Sequence, residues 1–191
     1  MTLKRTFYGA ATDSLQEWAV TGVEETMSRL HVLTSNSAII SGRLNLTYFR
    51  AKSARQVTTA IFPLGTTVAG ATPTISRIGL YSIDASGNGT LVASTTNDTA
   101  LFSTGATTKA GGTKSLSATY TFVSGQLYAA GPLVVSAAAM PSFYGHAALP
   151  PTALDAPRKV GHISGQTDLP ASFVVASLAT STAVAYYGEF V

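Results

Sequence analysis

The chain has 191 residues, of which 46% are hydrophobic and 11% are charged, and its formal net charge is +3. This length fits one domain with a substantial core, and the lack of cysteine excludes disulfides, thiolate metal sites and a cysteine nucleophile. The charged fraction is far below the roughly 25% typical of soluble domains. A surface so poor in charge favours an assembly subunit whose exterior is covered by copies of itself or by neighbouring proteins.

The basic residues are spread along the chain, and the densest group is Arg50, Lys52 and Arg55. Nucleic-acid binding proteins show a basic face with interleaved aromatic side chains, so we predict no nucleic-acid partner. The start MTLKRTFYGAATDS has no apolar run behind its two cations, and no stretch approaches the roughly 20 apolar residues of a membrane span. We therefore expect synthesis in a cytoplasm without a signal peptide, and no membrane insertion.

Residues 1–33 are predicted to form an N-terminal arm, and residues 34–191 the folded domain. Ser14 and Glu17 have the spacing of a capping box that opens a short helix, whereas the β-branched residues after Trp18 favour an extended arm. Both alternatives stay open. Trp18 is predicted to anchor the arm on the domain or on an adjacent subunit. The candidate assembly contacts in the arm are Arg5, Trp18 and Arg29.

Alternating polarity predicts strands from Ser37 onward. In SGRLNLTYFRA the residues Leu44, Leu46 and Tyr48 alternate with polar ones, which predicts a strand with one face in the core and one in water. RQVTTAIFPLG follows the polar turn AKSA as a second strand, and Pro63 is expected to end its pairing.

The stretch 74–136 is predicted to be a meander of short strands, because its apolar residues recur at every second position between Gly-, Asn- and Ser-containing breaks. The sequence ASGNG after Asp84 predicts a tight hairpin turn, and Ser124–Gly125 predicts another reversal. The Thr- and Gly-rich segment 95–113 is predicted to be a long exposed loop. The residues expected to line the interior are Leu116, Ala118, Tyr120, Phe122, Leu127, Tyr128, Leu133 and Val135.

Residues 141–170 contain five prolines and are predicted to form a crossing loop or surface excursion, the kind of segment that often carries function. The closing strands are ASFVVASLA and AVAYYGEFV, and the apolar chain end is predicted to pack inside a sheet or at a subunit interface. The candidate interface residues there are Tyr186, Tyr187 and Phe190. The candidate partner-binding loop residues are Phe143, Tyr144 and His146, although Phe143 and Tyr144 also fit core positions.

Groups suited to catalysis are few. The carboxylates fall in predicted turns or in the arm, and nothing marks one pair, such as Asp98 and Asp168, as the acid and base of a glycosidase. His146 and His162, with Asp155 or Asp168, form a conceivable metal set, but their spacing matches no metal motif. Nucleophile-elbow, P-loop and dinucleotide motifs are missing from the sequence. We therefore predict no enzymatic activity and no cofactor.

Two stretches carry a resemblance to a known family. The segment GTTVAGATPTISRIGLYSIDASGNGTLVASTTNDTALF and its continuation KSLSATYTFVSGQLYAAGPLVVSAAAMP resemble a β-sandwich module in virion proteins of tailed phages that infect actinobacteria. FYGAATDSLQEWAV and SGRLNLTYFRA resemble the start of the same module, so the similarity covers Phe7 to Pro141. The module is most often found at the end of minor tail proteins, and it implies a fold without catalytic residues.

The resemblance implies a jelly-roll-like antiparallel β-sandwich similar to the trimers of the tumour-necrosis-factor and C1q kind. It thus implies a homotrimer with AVAYYGEF at the threefold axis. The expected function is a minor tail protein, as a tail-tip or short-fibre subunit with a host-adhesion role and a host cell-surface glycan as a candidate ligand. The alternative is a capsid decoration or head-fibre protein whose arm clamps the capsid lattice. In both cases the expected location is the virion surface, among other virion proteins.

Overall fold

The structure is a computed structural model that describes residues 22–28, 32–67, 69, 73–104, 109–147, 160–179 and 184–191. Its strands are β1 Glu24–Glu25, β2 Leu33–Ala38, β3 Leu44–Arg50, β4 Gln56–Ile61, β5 Ile75–Ile83, β6 Gly89–Ser94, β7 Thr113–Thr121, β8 Leu127–Val135, β9 Ser142–Ala147, β10 Val160–Ile163, β11 Ser172–Phe173, β12 Val184–Tyr186 and β13 Glu189–Phe190. Short 3-10 turns lie at Ala110–Gly112 and Val175–Ser177. The predicted contacts Arg5, Trp18 and Arg29 lie outside the described residues.

Strands β2 to β9 form a double-sheet jelly roll. In one layer the order is β3, β8, β5, β6, with β10 added beside β3 and β11 beside β6. In the facing layer β2 pairs with β9 and β4 with β7, and Leu64, just after β4, forms a bridge with Phe143 on β9. From β2 to β9 the chain changes layer at every connection except the β5–β6 hairpin. The predicted all-β antiparallel sandwich is confirmed.

The chain end lies inside the facing layer. Strand β12 pairs with β9, and β13 pairs with β4 on one side and β1 on the other. The Val191 carbonyl also accepts hydrogen bonds from the N–H groups of Thr58 and Thr59, at 2.7 and 3.0 Å. The sequence left two positions open for the end of the chain, and the structure selects packing within a sheet.

The predicted hairpin at Asp84 is confirmed. The Asp84 carboxylate accepts hydrogen bonds from the N–H groups of Ser86 and Asn88, at 2.8 and 2.9 Å, and thereby fixes the turn. Gly87 has φ +88°, a left-handed conformation that glycine adopts at no steric cost. The turn then closes through the Asp84 N–H, which donates to the Asn88 carbonyl at 3.0 Å.

The predicted meander is wrong beyond this hairpin. Strand β7 leaves β6 for the facing layer, where it pairs with β4, and β8 returns to lie between β3 and β5. The turn at Ser124–Gly125 does reverse the chain, with φ +77° at Gly125, but it connects two layers. It packs on the crossing at Ala51, whose carbonyl accepts the Gly125 N–H at 2.8 Å. Period-two polarity shows which side chains share a face and does not identify the neighbouring strand.

The six-stranded layer is buried on both faces. One apolar cluster fills the space between the two layers, and a second lies on the outer face, where Leu169, Phe173 and Leu178 cover it. The expectation of a wet face on β3 is therefore wrong. Leu44, Leu46 and Tyr48 belong to the outer cluster, whereas Phe49 points between the layers.

Several residues that were predicted to line the interior lie elsewhere, because the six-stranded layer is buried on both faces. Leu133 and the half-buried Leu127 join the outer cluster, while Ala118 is exposed. Tyr128 and Phe122 occupy the space between the layers as expected. Because β8 is covered on both sides, its apolar residues do not mark one inward face.

The Pro-rich segment is more regular than predicted. Residues 142–147 and 160–163 form β9 and β10, so the loop prediction is wrong for both stretches. Pro141 and Pro170 lie just outside strands, where a residue without an N–H is tolerated. Residues 148–159 lie outside the described part. The predicted exposed loop 95–113 is likewise anchored, because Leu101 and Phe102 are 5% and 0% exposed.

Candidate functional site

The aromatic residues of the chain end form part of the protomer's own core. Tyr186, Tyr187 and Phe190 are 3%, 5% and 0% exposed. The Phe190 ring stacks on Phe49 with centroids 6.1 Å apart. These side chains are therefore covered before any sister chain arrives, and the surface of the protomer is formed by other residues.

The candidate loop residues lie on strand β9 and differ in burial. Phe143 is 0% exposed and packs edge-on against Phe102 with centroids 4.9 Å apart. Tyr144 is half-buried and His146 is exposed. The core alternative is correct for Phe143, and of the three only His146 is exposed.

Glu24 and Glu25, near the end of the predicted arm, form a short strand that is built into the sheet. The alternative of a helix opened by Ser14 and Glu17 lies outside the described residues. Strand β1 pairs with β13. The Thr26 hydroxyl donates to the Tyr186 carbonyl and accepts the Gly188 N–H, each at 2.8 Å. The Thr26 N–H adds a bond to the Gly188 carbonyl at 2.9 Å. We call this arrangement the N-terminal clasp, residues 24–26 on residues 186–190.

A buried tyrosine connects the two sides of the clasp. The Tyr187 hydroxyl lies 2.8 Å from Glu25 Oε1 and makes a shorter hydrogen bond with Glu189. Lys109 Nζ lies 2.6 Å from both Glu189 oxygens, and Lys52 Nζ lies 3.7 Å from Glu25 Oε2. Burial and the two carboxylates raise the pKa of Tyr187 well above its ordinary value, so the phenol keeps its proton.

Glu24 is the third carboxylate of the clasp, and it is 1% exposed. Its Oε1 accepts the Lys52 N–H at 2.5 Å. Burial raises the pKa of Glu24, although the Lys52 N–H and the charges of Lys52 and Arg55 act in the opposite direction. Glu25 and Glu189 are 4% and 2% exposed, and both contact the Tyr187 hydroxyl. The cluster therefore joins residues 24–26 to residues 186–190.

The residues considered for chemistry are held apart in separate pairs. Asp98 binds Lys114 and Asp168 binds Arg77, each at 2.7 Å. His162 is 5% exposed, and burial together with Arg43 lowers its pKa. Within the described ranges, no three His, Asp or Glu side chains are grouped as a metal site.

One open cleft lies at the end of the sandwich where the β5–β6 hairpin, the Gly125 turn and the 3-10 turn at Val175 meet. We call it the hairpin cleft, and its volume is about 680 Å³. Tyr48, Ile83 and Leu127 form the apolar part of its lining, and Arg50, Asp84, Ser86 and Gln126 form the polar part. This volume lies within the range of small-molecule sites in proteins.

Strands β4 and β7 present a second unusual surface, which we call the β4–β7 surface. Every exposed residue of these strands is uncharged: Gln56, Thr58, Thr113, Ser115, Ser117, Ala118, Thr119 and Thr121. The register of the pair shifts between Val57 and Thr59. Such a bulge in the outermost strand discourages edge-to-edge pairing with another sheet.

A scan against protein-family models finds no match for this chain, and a search of curated proteins finds none either. The resemblance to phage virion modules therefore remains a prediction. Among the described residues, no helix combines the length and apolar character needed to cross a bilayer.

Sequence reasoning missed both the clasp and the cleft. Glu24 and Glu25 lie in a segment with no strand pattern, and only their pairing with Phe190 and Glu189 gives them a role. The cleft contains Gln126 and Tyr48, which are far apart in the chain and meet through the crossing connections. The one local signal was the ASGNG turn, which identifies the hairpin but not what faces it.

Proposed function

We propose that this protein is a structural subunit of a tailed-bacteriophage virion, placed in the tail tip or a short fibre. The observation that carries the proposal is the β4–β7 surface, where exposed residues of two adjacent strands carry no charge. A surface of this kind loses little solvation energy when it is covered, because no ion has to leave water. Double-sheet jelly rolls also recur in virus particles, and that support is an analogy of fold.

The assembly we propose is a homotrimer joined through the β4–β7 surface, with adhesion to the host as its task. Closed symmetric oligomers are the common form of soluble assemblies. The aromatic chain end, which the resemblance would place on the threefold axis, is buried inside the protomer. For this reason we place the contact on β4 and β7.

The oligomer is tested by native mass spectrometry of the purified protein. We expect a trimer, and we expect the double variant S117E/T119E to give protomers because the two added carboxylates would lose their hydration at the contact without gaining a partner. Ser164→Glu, at an exposed position outside these strands, is the matched control and keeps the trimer. A wild-type protein that stays monomeric, or a double variant that still forms trimers, would contradict this contact.

The position in the particle is tested by gold labelling of purified virions with an antibody against the protein, together with copy counting by quantitative mass spectrometry. We expect label at the tail and between three and a few tens of copies per particle. Label over the head with hundreds of copies would replace the tail assignment by the decoration one.

The capsid decoration function is the second candidate, and the N-terminal clasp favours it. The clasp fixes residues 24–26 in the sheet, so a pull on residues 1–21 is transmitted to the sandwich. Deleting residues 1–21 leaves the clasp intact. Under the decoration function this deletion abolishes binding to capsids without changing the thermal stability of the sandwich, whereas under the tail-tip function with contacts on β4 and β7 the trimer persists.

A further inference from the structure

The hairpin cleft is a preformed cavity. Two of its walls are the β5–β6 hairpin and the 3-10 turn at Val175. They are joined by a hydrogen bond from the Val175 N–H to Asn88 Oδ1 at 3.1 Å. A Cβ placed on Gly87 would lie 3.3 Å from Val175 Cγ2, so the hairpin packs closely on the 3-10 turn. Gln126 Nε2 donates to the Ile83 carbonyl at 2.6 Å and fixes the third wall. A cavity whose walls are already ordered loses little entropy when it binds a ligand.

The polar groups of the cleft have hydrogen-bonding capacity to spare. Arg50 uses Nη1 for the Gly125 carbonyl at 2.9 Å, and its Nε and Nη2 make no hydrogen bond within the described residues. Gln126 donates through Nε2, which leaves its Oε1 as an acceptor. The Ser86 hydroxyl is exposed and can both donate and accept. Donors and acceptors are therefore both present at the rim.

The charges of the cleft lining cancel. Among the described residues that line the cleft, Arg50 and Asp84 are the only ionisable groups besides the Tyr48 phenol. The N–H groups of Asn88, Ser86 and Gly87 lower the pKa of Asp84, so it stays a carboxylate. A fixed carboxylate opposes a phosphate or carboxylate ligand that Arg50 alone would attract. The balance of charge thus favours a neutral ligand.

We propose that the hairpin cleft binds a neutral saccharide. A sugar ring has hydroxyls that both donate and accept around its edge and apolar C–H groups on its faces. The cleft offers the matching arrangement, with Arg50, Ser86 and Gln126 at the rim and Tyr48, Ile83 and Leu127 in the apolar lining. The inference supplies a ligand class for the adhesion part of the proposed function, and its test uses the isolated protein in its native oligomer.

The test is a titration of the 15N-labelled protein followed by NMR. The probes are oligosaccharides of N-acetylglucosamine, glucose, mannose and arabinose, each up to about 10 mM, with inorganic phosphate and a neutral tripeptide as decoys. At least one oligosaccharide is expected to shift the amide signals of Gly87 and Gly125 with saturation. The signals of Gly22 and Gly165, outside the cleft, are expected to stay in place.

Two variants separate binding in the cleft from binding elsewhere. Ser86→Trp fills the cleft and abolishes the shifts, while Ser164→Trp, an equally exposed serine beyond β10 at the opposite end of β3, retains them. Arg50→Ala weakens binding about tenfold, since it removes hydrogen bonds from a charged donor. If Ser86→Trp does not fold, Arg50→Ala alone decides, because Arg50 is exposed.

The proposal is overturned if no oligosaccharide shifts Gly87 and Gly125, if only phosphate or the tripeptide does so, or if Arg50→Ala binds as tightly as the wild type. If the cleft binds no saccharide, the proposed location in the virion is unaffected, because gold labelling does not depend on sugar binding. Conversely, a protein missing from virions can still bind the sugar.

Discussion

The two layers of the sandwich differ in how their outer faces are treated. The outer face of the six-stranded layer is covered by side chains from the chain's own residues 164–178, which contribute Leu169, Phe173 and Leu178 to a second apolar cluster. Within the described part of the chain, no segment covers the outside of β4 and β7 in this way, and the exposed side chains of these two strands are uncharged. One outer face is thus covered by the protomer itself when it folds. In our proposal, the other is covered by a sister chain when the trimer assembles.

The largest expected effect comes from removing the internal cover. Phe173 is 6% exposed and its ring lies 5.2 Å from that of Tyr81. Phe173→Ala is expected to lower the free energy of unfolding by about 3–5 kcal/mol, measured by urea denaturation. Val174→Ala is the matched control, because Val174 is the next residue in the chain and its side chain is 57% exposed. This variant should change the free energy of unfolding by less than about 0.5 kcal/mol.

A double-mutant cycle shows whether the ring itself causes that loss. A Cβ on Gly89 would lie 2.2 Å from the Phe173 ring, so Gly89→Ala destabilises the wild type. In the Phe173→Ala background the added methyl group has room, and the cost of Gly89→Ala should largely disappear. Equal costs in both backgrounds would show that Phe173 does not pack on β6 as described.

The all-β class, the Asp84 hairpin and the buried chain end were all predictable, because each depends on local signals such as alternation, turn residues and apolar composition. The covered outer face was not predictable. Leu46 and Leu133 alternate with their neighbours in the same way whether they face the opposite layer or a segment that arrives more than thirty residues later. Strand pairing and cover depend on long-range contacts, which a periodic pattern does not encode.

The functional residues were harder to predict than the fold class, again because their roles depend on long-range contacts. Tyr186 was predicted at a subunit interface and Phe143 in a partner-binding loop or the core, and both lie in the protomer's own core. An aromatic side chain has the same appearance in a sequence whether it meets its own core or a partner. Gln126 and Arg50 carried no signal, since a neutral amide and a lone arginine are ordinary surface residues. Only the crossing turns bring them together.

An intermediate effect on the free energy of unfolding is expected at the N-terminal clasp, where the buried contacts are polar. Tyr187→Phe removes the hydroxyl that contacts Glu25 and Glu189 and leaves two buried carboxylates without that donor. We expect a loss of about 1–3 kcal/mol at pH 7, measured by urea denaturation. Tyr144→Phe is the control, because Tyr144 is half-buried and its hydroxyl makes no hydrogen bond among the described residues. Equal stability of the two variants would mean that the hydroxyl adds nothing to the clasp.

A smaller effect, with a defined pH dependence, is expected from Glu24. Burial is the main cause that raises its pKa in the folded state. The stability it contributes is therefore full below its unfolded value near 4.5 and is lost as pH rises through the folded value. Glu24→Gln keeps an acceptor for the Lys52 N–H without the charge. The variant should be more stable than the wild type at pH 7, measured by urea denaturation, and the gain should vanish as pH falls towards 4.5.

Asp84 is expected to make stability depend on pH in the opposite direction. Its pKa is lowered, chiefly by the Asn88 N–H, so its stabilising contribution is present above the unfolded value of 3.8 and is lost as pH falls through the folded value. Asp84→Asn should therefore be less stable than the wild type at pH 7, with the difference shrinking in acid. Slopes of the same sign for the two variants would contradict the burial difference between the clasp and the hairpin.

The smallest effect on the protomer is expected at the surface left bare. Ser117 and Thr119 are exposed, so S117E/T119E should change the unfolding free energy of dilute protomers by less than about 0.5 kcal/mol. A trimer unfolds at a temperature that rises with protein concentration, because association favours the folded state. The wild type should show that rise by differential scanning calorimetry and the double variant should not. A double variant that is strongly destabilised even when dilute would show that this surface is cover for the protomer itself, and the contrast between the two layers would then disappear.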